Sequence, residues 1–429
     1  MQENNLKVQK RLGQKSTILT NKTIRKHMST TIPEASKLTH IPETTIRTWI
    51  KKDFLHVIKQ GNSRLVNPEH VVYVQEKLQG KHQTSFGVLK SNPTSYTSIG
   101  LFTGAGGTAL GFENAGIGHL AVNEIDKHAT ETLRINRPEW NVIEADIHDL
   151  HFDEYSGEVD IVEGGFPCQA FSHSGKRLGF KDARGTLFNE FARVVEETNP
   201  KIVMGENVKG LVTHDKGQTL PIMIKMLEDL GYEVAWKVLK SHFLNVGQKR
   251  ERLIIIGKRH DIDSPILFPQ EKPFYTSVGD VLEGVPDSPG LQYEDWKREV
   301  FDLVPPGGNW KDLPEDVKKS YMDPSLLTEG GKTGMARRLA WNEPSLTLTC
   351  SPTRKQTDRC HPFETRPLTV CESARIQSFP DDWEFQGSVS NQYKQIGNAV
   401  PVNLAYHVGR GLVHMLDGVV PSEGFDVAV

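Results

Sequence analysis

Apolar positions between residues 30 and 80 recur with helical spacing, whereas the body of the chain shows short continuous apolar runs. Ile46 and Trp49 lie three positions apart, which places them on one face of a helix predicted over 43–50. A further short helix is predicted over 32–38, with Thr31 as its N-cap. The pattern therefore predicts two short amphipathic helices joined by a tight turn.

A hairpin and a third helix are predicted after these two helices. Apolar pairs flank Gly61 and Asn62, which favour a tight turn, and residues 68–78 again show helical spacing. Two short helices across a turn, followed by a hairpin, are typical of a winged helix-turn-helix, whose second helix can enter the major groove of DNA. We expect this module over 30–82, with a small helical protein-docking module as the alternative. The residues expected to face DNA are Thr44, Arg47 and Lys51.

From residue 98 onward, short apolar runs alternate with helical patterns, which is typical of an α/β protein with a parallel sheet. The first run ends in a glycine-rich turn that opens a helix at about 108, so a ligand could approach backbone N–H groups there. Glu124 follows the second run and Asp146 the third. Glycine, Glu and Asp at three successive strand ends suit an adenosine-like ligand, with Glu124 on the ribose hydroxyls and Asp146 on the adenine amino group.

Cys168 follows the fourth apolar run, 159–162, at a position where ligands meet open α/β sheets. A buried structural cysteine is the alternative interpretation. Glu206 follows the next run and is expected at the same sheet edge, and Arg250 and Arg252 enter a later one. A cysteine, a carboxylate and two arginines together favour an anionic substrate.

Composition and charge narrow the class of protein. The 429 residues are 37% hydrophobic and 24% charged, as in an ordinary water-soluble protein of two or three domains. No apolar run of about 18 residues appears, and the N-terminus lacks an apolar signal segment, so a cytoplasmic protein is expected. The four cysteines lack CxxC spacing, and no metal site is expected.

The net charge of −3 conceals an asymmetry along the chain. Residues 1–90 carry 16 Lys or Arg and 6 Asp or Glu, while the rest of the chain carries 35 and 48. A basic N-terminal part on an acidic body indicates a polyanionic partner for the former. Residues 1–29 are expected to be a basic flexible tail, and 83–97 a linker rich in small and polar residues.

Six stretches of the main body resemble, in order, the signatures of bacterial DNA (cytosine-5) methyltransferases. Two positions depart from the commonest pattern, Ala145 where glycine is frequent and Ala170 where proline is frequent, and neither removes a reacting group. The N-terminal part resembles the helix-turn-helix of MerR-type regulators and excisionases. The six stretches are 102–107, 165–169, 206–208, 248–252, 366–380 and 395–401.

The resemblance implies an α/β, doubly wound, Rossmann-like domain that uses S-adenosyl-L-methionine, with a smaller inserted target-recognition domain. The methyltransferase domain would span 98–258 and return over 391–415. The target-recognition region would occupy 259–390, and 416–429 would be a tail. The implied partner is double-stranded DNA, methylated by a monomer, while the N-terminal module would bind promoter DNA.

The resemblance also implies a role for each catalytic residue. Cys168 would add to C6 of a cytosine flipped out of the duplex, because C5 alone is a poor nucleophile. Glu206 would bind N3 and the exocyclic amine, and Arg252 the pyrimidine carbonyl. Arg250 would contact the DNA backbone or the loop that carries Cys168.

Further residues are expected at the cofactor and at DNA. A transcription regulator with an inert methyltransferase body and an RNA cytosine methyltransferase remain alternatives. The cofactor residues implied are Phe102, Gly104, Gly106, Gly107, Glu124, Ile125, Asp146, Ile147, Pro167, Asn398 and Val400. In the main body, the residues expected at DNA are Ser172, Arg337, Arg338, Arg354 and Lys355.

Overall fold

The computed structural model describes most of the chain, and its described residues divide into two compact units. One unit ends at residue 83 and also contains 272–274, and the other comprises the remaining residues. Cys168 and Ser172, predicted to contact the target base and DNA, lie outside the described residues. Those described are 29–55, 57–61, 63–81, 86–167, 187–272, 274–322 and 334–428.

The smaller unit has its helices and hairpin at the residues where the sequence pattern predicts them. Thr31 precedes the first helix. Its backbone N–H and its hydroxyl donate to Glu34 Oε2 at 3.2 and 3.0 Å, so the carboxylate in the first turn gives the N-cap residue hydrogen-bond partners. Ile46 and Trp49 are buried, as their spacing predicts. Its elements are β1 (Thr30–Thr31), α1 (Ile32–Thr39), α2 (Glu43–Lys51), β2 (Ile58–Gln60), β3 (Ser63–Val66) and α3 (Pro68–Leu78), with sheet order β1-β3-β2.

The larger unit is built on a sheet to which seven strands of the described residues contribute. The strands are β4 (Thr97–Leu101), β5 (Gly118–Glu124), β6 (Val142–Glu144), β7 (Ile161–Gly164), β8 (Ile202–Val208), β9 (Tyr232–Lys240) and β11 (Glu251–Arg259). Their order in the sheet is β6-β5-β4-β7-β8-β11-β9; the first five strands run parallel, and β11 lies antiparallel to both neighbours.

The strand order reverses between β4 and β7. From β4 the chain moves outward to β5 and β6, then returns to place β7 on the other side of β4. Ligands of open α/β sheets bind at the carboxyl ends of the strands beside such a reversal. The glycine turn follows β4 and Pro167 follows β7, so two of the predicted motifs meet at this crevice.

Both faces of the sheet are covered by helices, which explains the continuous apolar runs. In β11, Leu253 and Ile255 pack into one hydrophobic cluster, while Ile254 and Ile256 pack into the cluster on the opposite face. The helices around the sheet are α4 (Gly107–Ala115), α5 (Lys127–Asn136), α6 (Leu187–Thr198), α7 (Thr219–Asp229) and α13 (Val402–Leu416).

The segment between β11 and α13 has two different attachments. Residues between Tyr293 and Cys360 share a hydrophobic cluster of their own, whereas Val370, Phe379 and Trp383 pack with residues of α4 and α5. Phe425–Val427 pair with Leu267–Pro269. The remaining elements are β10 (Gln248–Lys249), β12 (Leu267–Pro269), α8 (Val278–Leu282), α9 (Asp295–Asp302), α10 (Glu315–Met322), β13 (Ser345–Leu346), α11 (Val370–Ile376), α12 (Val389–Asn398) and β14 (Phe425–Val427).

Among the described helices, none has the length and apolar composition that a membrane span requires.

Candidate active site

A cavity of about 920 Å³ opens at the carboxyl ends of the parallel strands, beside the reversal in strand order. Most of the residues predicted to bind the cofactor line it. Gly106 is the exception: a Cβ there would lie 2.8 Å from Leu133 and 3.1 Å from Trp383, so this glycine serves close packing. The predicted cofactor residues in the wall are Phe102, Gly104, Gly107, Glu124, Ile125, Asp146, Ile147, Pro167, Asn398 and Val400.

Glu124 holds the glycine turn in place. Its Oε2 accepts a hydrogen bond from the Gly104 N–H at 2.7 Å, and its Oε1 accepts from the N–H groups of Ile125 and Asp126 at 2.9 and 2.8 Å. Phe102, just before the turn, has a φ of 56°, which is uncommon for a residue with a side chain. The turn is therefore held in a specific conformation by the same carboxylate that is predicted to bind the ribose.

Gly107 lets the start of α4 approach the segment that follows α12. A Cβ on Gly107 would lie 2.2 Å from the carbonyl oxygen of Val400, a distance that atoms do not tolerate. The third glycine of the motif is thus required by packing against a distant part of the chain. This contact brings Asn398 and Val400 to the cavity wall, where the sequence predicts them.

Glu206 and Arg252 form a buried ion pair in the wall of the same cavity. Glu206 lies opposite Ile254 in the antiparallel pairing of β8 with β11, so Arg252, two residues away, is its diagonal neighbour on the same face. Arg252 Nε lies 2.6 Å from Glu206 Oε1. The sheet register thereby brings together two of the predicted catalytic residues.

Burial is the largest influence on the carboxyl of Glu206. It raises the pKa of Glu206 above its usual value, against the opposing effect of Arg252 and Arg250, which favour the carboxylate. The same burial lowers the pKa of Arg252. The site therefore makes Glu206 easier to protonate than an exposed carboxyl, while the adjacent Arg252 and Arg250 oppose this change.

Arg250 is buried and bonded to the protein. Its Nη2 donates to the carbonyl oxygens of Gly397 and Asn398 at 3.0 and 3.4 Å, and its Nη1 to that of Leu348 at 3.3 Å. Burial and the neighbouring Arg252 lower its pKa to about 9, so it stays cationic at neutral pH. These bonds do not fit the predicted contact with the DNA backbone, and the alternative, a contact with the segment that carries Cys168, falls outside the described residues. Arg250, just before β11, holds this part of the chain against α12.

Asn207 has a positioning role that sequence reasoning missed. Its Nδ2 donates to the carbonyl oxygen of Phe166 at 2.9 Å, one residue before Pro167. A Cβ on Gly165 would lie 3.2 Å from Glu206 Oε2, so a glycine there makes room for the carboxyl. The motif around Glu206 therefore also fixes the backbone that leads to Cys168. The sequence signal for this contact was the asparagine directly after Glu206.

The sequence also missed Glu163, Thr103 and Cys350 at the cavity. Glu163 is buried in the cavity wall. The sequence did contain a signal for this position, because an acidic residue directly follows apolar residues within the run that forms β7. Thr103 follows Phe102 in the glycine motif. The exposed Cys350 also lines the cavity, and its Sγ lies 2.9 Å from Asn398 Oδ1.

One predicted DNA contact in the recognition region is wrong. Arg338 is buried, and its guanidinium donates to the carbonyl oxygens of Val304, Phe301, His361 and Glu364 and to the Thr365 hydroxyl. These bonds occupy all three guanidinium nitrogens, so Arg338 stabilises the fold of this region and cannot bind a phosphate.

The other three predicted contacts in this region differ in exposure. Arg337 is mostly buried, with its Nη2 3.6 Å from Glu343. Lys355 donates to the carbonyl oxygen of Tyr321 and lies 4.7 Å from the centre of its ring. Arg354 is exposed, so the structure leaves it the most accessible to DNA of these residues.

In the smaller unit, Thr44, Arg47 and Lys51 all lie on the exposed face of α2. Arg47 forms a surface ion pair with Glu43 at 3.1 Å. Arg47, Lys51 and Arg64 border one open depression. The sequence pattern thus predicted correctly which face of α2 is polar and accessible.

The sheet, the reversal in strand order and the cavity define the fold of an S-adenosylmethionine-dependent methyltransferase. Two solved structures share this fold with a TM-score of 0.56 each. One is an E. coli protein encoded within a prophage, 24% identical, covering 75% of this chain and 99% of that one. The other is a mutant of Spodoptera frugiperda DNMT2, 17% identical, covering 74% of this chain and 99% of that one.

The chain belongs to the C-5 cytosine-specific DNA methylases, whose family model matches residues 96–414, and such enzymes use S-adenosylmethionine as methyl donor. It is 48% identical to the type II methyltransferase M.Eco47II of Escherichia coli, over 90% of this chain and 96% of that protein. It is 54% identical to M.PspPI of a Psychrobacter strain, over 77% and 82%, and 54% identical to M.Sau96I of Staphylococcus aureus, over 75% and 76%.

Proposed function

We propose that this protein is the modification enzyme of a type II restriction–modification system, and that it methylates cytosine at C5 in a specific duplex DNA sequence. The observation that carries the proposal is the Glu206–Arg252 pair. It lies in the wall of the cavity that also holds the glycine motif and Pro167, the residue before Cys168. The candidate base-binding pair, the glycine motif and the residue that precedes the proposed nucleophile therefore line one cavity, and this supports the proposal.

The proposed reaction begins with a base rotated out of the duplex, because its C6 is inaccessible within the stack. The Cys168 thiolate adds to C6, which makes C5 nucleophilic. Protonated Glu206 donates to N3 and so stabilises the adduct, while Arg252 binds the pyrimidine carbonyl. S-adenosylmethionine supplies the methyl group. Glu206 then takes back the N3 proton, the C5 proton is lost to solvent, and elimination of the Cys168 thiolate releases the methylated base, with S-adenosylhomocysteine as the other product.

The residues present fit the cofactor. Two buried oxygens in the cavity wall, Thr103 Oγ1 and Glu163 Oε1, have no hydrogen-bond partner among the described residues, as expected for a wall that receives a polar ligand. Glu124 would hold the ribose and Asp146 the adenine amino group. Phe102 and the glycine turn would lie against the middle of the molecule, with Asn398 and Val400 across the cavity.

Methyl transfer to different nucleic acids tests the function directly. With tritiated S-adenosylmethionine, we expect incorporation into plasmid DNA and none into tRNA, and bisulfite sequencing of DNA from an expressing host should reveal one modified sequence. Incorporation into tRNA alone would favour an RNA cytosine methyltransferase. A protein active on neither substrate would favour a transcription regulator with an inert body.

Replacing Glu124 with alanine should raise the dissociation constant of S-adenosylmethionine by about 10- to 100-fold. The change removes the proposed ribose contact, the hydrogen bond from Gly104 in the glycine turn and those from Ile125 and Asp126, worth roughly 1–3 kcal/mol in binding. Isothermal titration calorimetry measures the constant, and Glu139→Ala, an exposed acid on the surface, is the matched control. Unchanged affinity in Glu124→Ala would remove Glu124 from the cofactor site.

The N-terminal module is proposed to be a winged helix-turn-helix that binds promoter DNA and limits expression of its own system. The alignment with M.Eco47II covers 90% of the chain, more than the family region and the C-terminal tail together supply, so the similarity extends into the first 95 residues. Arg47, Lys51 and Arg64 at one depression give α2 and the hairpin a shared basic surface. An auxiliary clamp on the methylation site and a protein-docking module are the alternatives.

Replacing Arg47 with alanine in the full-length protein should weaken binding to upstream promoter DNA by about 10- to 100-fold, corresponding to roughly 1–3 kcal/mol for a base contact. Methylation of a separate plasmid site should be unchanged. Footprinting at several salt concentrations measures the effect, and Lys81→Ala, an exposed lysine outside α2, is the control. Equal binding by both variants would contradict promoter recognition through α2.

A further inference from the structure

Glu163 is a buried acid in the cavity wall to which the proposed reaction assigns no role. It lies in β7, is 1% exposed, and its Oε1 has no hydrogen-bond partner among the described residues. Burying a carboxyl without a partner is costly unless the group is neutral or meets a ligand. A side chain of this kind in the wall of a ligand cavity requires an explanation.

The sheet register gives the position of Glu163 relative to the other motifs. Glu163 pairs with Gly100 on one side and Met204 on the other, so it shares a sheet face with Glu206. A Cβ on Gly100 would lie 2.8 Å from Glu163 Oε1 and 3.1 Å from Thr103 Oγ1. Both oxygens without partners therefore face the same small space, next to the glycine motif.

The order of the strands indicates which part of the cofactor reaches this space. Across the sheet, Asp146 follows β6, Glu124 ends β5, the glycine turn follows β4, and Pro167 follows β7. An adenosine held at β5 and β6 must extend over β4 to bring its methyl group to the end of β7. The methionine end of the molecule, with its sulfonium and ammonium, would then reach the part of the cavity beside β4 and β7, where Glu163 is found.

We propose that Glu163 is the counter-charge for the positively charged methionine end of S-adenosylmethionine, and that it releases its proton to solvent when the cofactor binds. This inference rests on the proposed cofactor site. Burial and then the neighbouring Glu206 raise the pKa of Glu163 to about 8, so it is mostly protonated at pH 7 without cofactor. A cation beside it favours the carboxylate and lowers that pKa.

The charged groups around Glu163 are consistent with this role. The facing residues of β4 and the glycine motif, Gly100 and Thr103, carry no charge. On the other side, Glu206 of β8 acts electrostatically on Glu163, and Arg252 is paired with Glu206. Among the described residues, no cation is hydrogen-bonded or ion-paired to Glu163, which leaves that position to the ligand.

Calorimetry of S-adenosylmethionine binding tests the proposal. In buffers of different ionisation enthalpy at pH 7, the wild type should release about one proton per cofactor bound. Glu163→Gln should release none and bind about 10-fold more weakly. 5′-Methylthioadenosine, which lacks the charged methionine end, should bind both proteins equally and release no proton. Glu158→Gln, an exposed acid just before β7, is the matched control and should behave as the wild type.

Other outcomes separate this inference from the site on which it rests. Equal weakening of both ligands in Glu163→Gln, or proton release that persists in this variant, would overturn the role of Glu163. If Glu124→Ala left the affinity for both ligands unchanged, the cofactor site itself would instead be overturned.

The stability of the folded protein should also depend on the proton that Glu163 holds. Because the folded-state pKa of Glu163 is raised, its stabilising contribution is lost as pH rises towards 8. Wild-type Tm should thus fall more than that of Glu163→Gln as the pH rises from the ordinary carboxyl pKa of 4.5 to about 8.

Discussion

Replacing Glu206 with glutamine is expected to lower kcat by about 100-fold or more, the range for loss of a general acid. The amide can still accept the bond from Arg252, so the buried pair keeps a partner, whereas alanine would leave Arg252 alone at a cost of about 3–5 kcal/mol. Glutamine cannot give a proton to N3. Single-turnover methyl transfer to a DNA duplex measures the loss.

The pH dependence separates a proton donor from a structural residue. Burial raises the pKa of Glu206, so the protonated form is present below that pKa and is lost as the pH rises through it. Wild-type kcat should fall on the alkaline side, and the Glu206→Gln variant should lack this fall. Glu233→Gln, which changes an exposed carboxyl paired with the buried Lys258, is the control. A variant that keeps the wild-type profile at a lower rate would show that Glu206 does not supply the proton.

Replacing Cys168 with serine should reduce methyl transfer by at least about 1,000-fold, because the reaction then lacks the thiolate that activates C5. Binding of S-adenosylmethionine should be retained. Duplex DNA with 5-fluorocytosine at the target should trap the wild type in a complex that survives denaturing electrophoresis, since fluorine cannot leave as a proton does. Quantifying the trapped band measures covalent addition.

The Cys371→Ser variant is the matched control for the trapping experiment, because Cys371 is a partly exposed free thiol that does not line the cavity. It should form the covalent complex as the wild type does. A trapped complex in Cys168→Ser, or turnover by that variant at the wild-type rate, would assign the nucleophile to another residue.

The glycine turn and the acids at strand ends were predictable because they depend on local pattern. Short continuous apolar runs mark strands buried on both faces, and the residues after such runs lie at one sheet edge if the strands are parallel. Glu124 and Asp146 were expected at this edge on that ground alone, and both line the cavity. The two amphipathic helices near the N-terminus were also predictable from local pattern, because their apolar residues recur with helical spacing.

Arginines were the residues that local pattern described least well. Arg338 and Arg250 are both buried, and they donate to carbonyl oxygens far away along the chain, such as Val304 and Gly397. A sequence shows that a guanidinium is present but not which carbonyls will surround it after folding. The predicted DNA contact of Arg338 failed for this reason.

The sequence by itself determined where strands and helices follow one another along the chain, the class of enzyme and the residues with reactive groups. These features follow from side-chain chemistry and spacing. Only the tertiary structure decided which side chains meet. The antiparallel register of β8 and β11 joins Glu206 to Arg252, and the pairing of β4 with β7 places Glu163 beside Thr103 without a partner. Burial and register are properties of the packed chain, because they depend on contacts between residues that are distant in sequence.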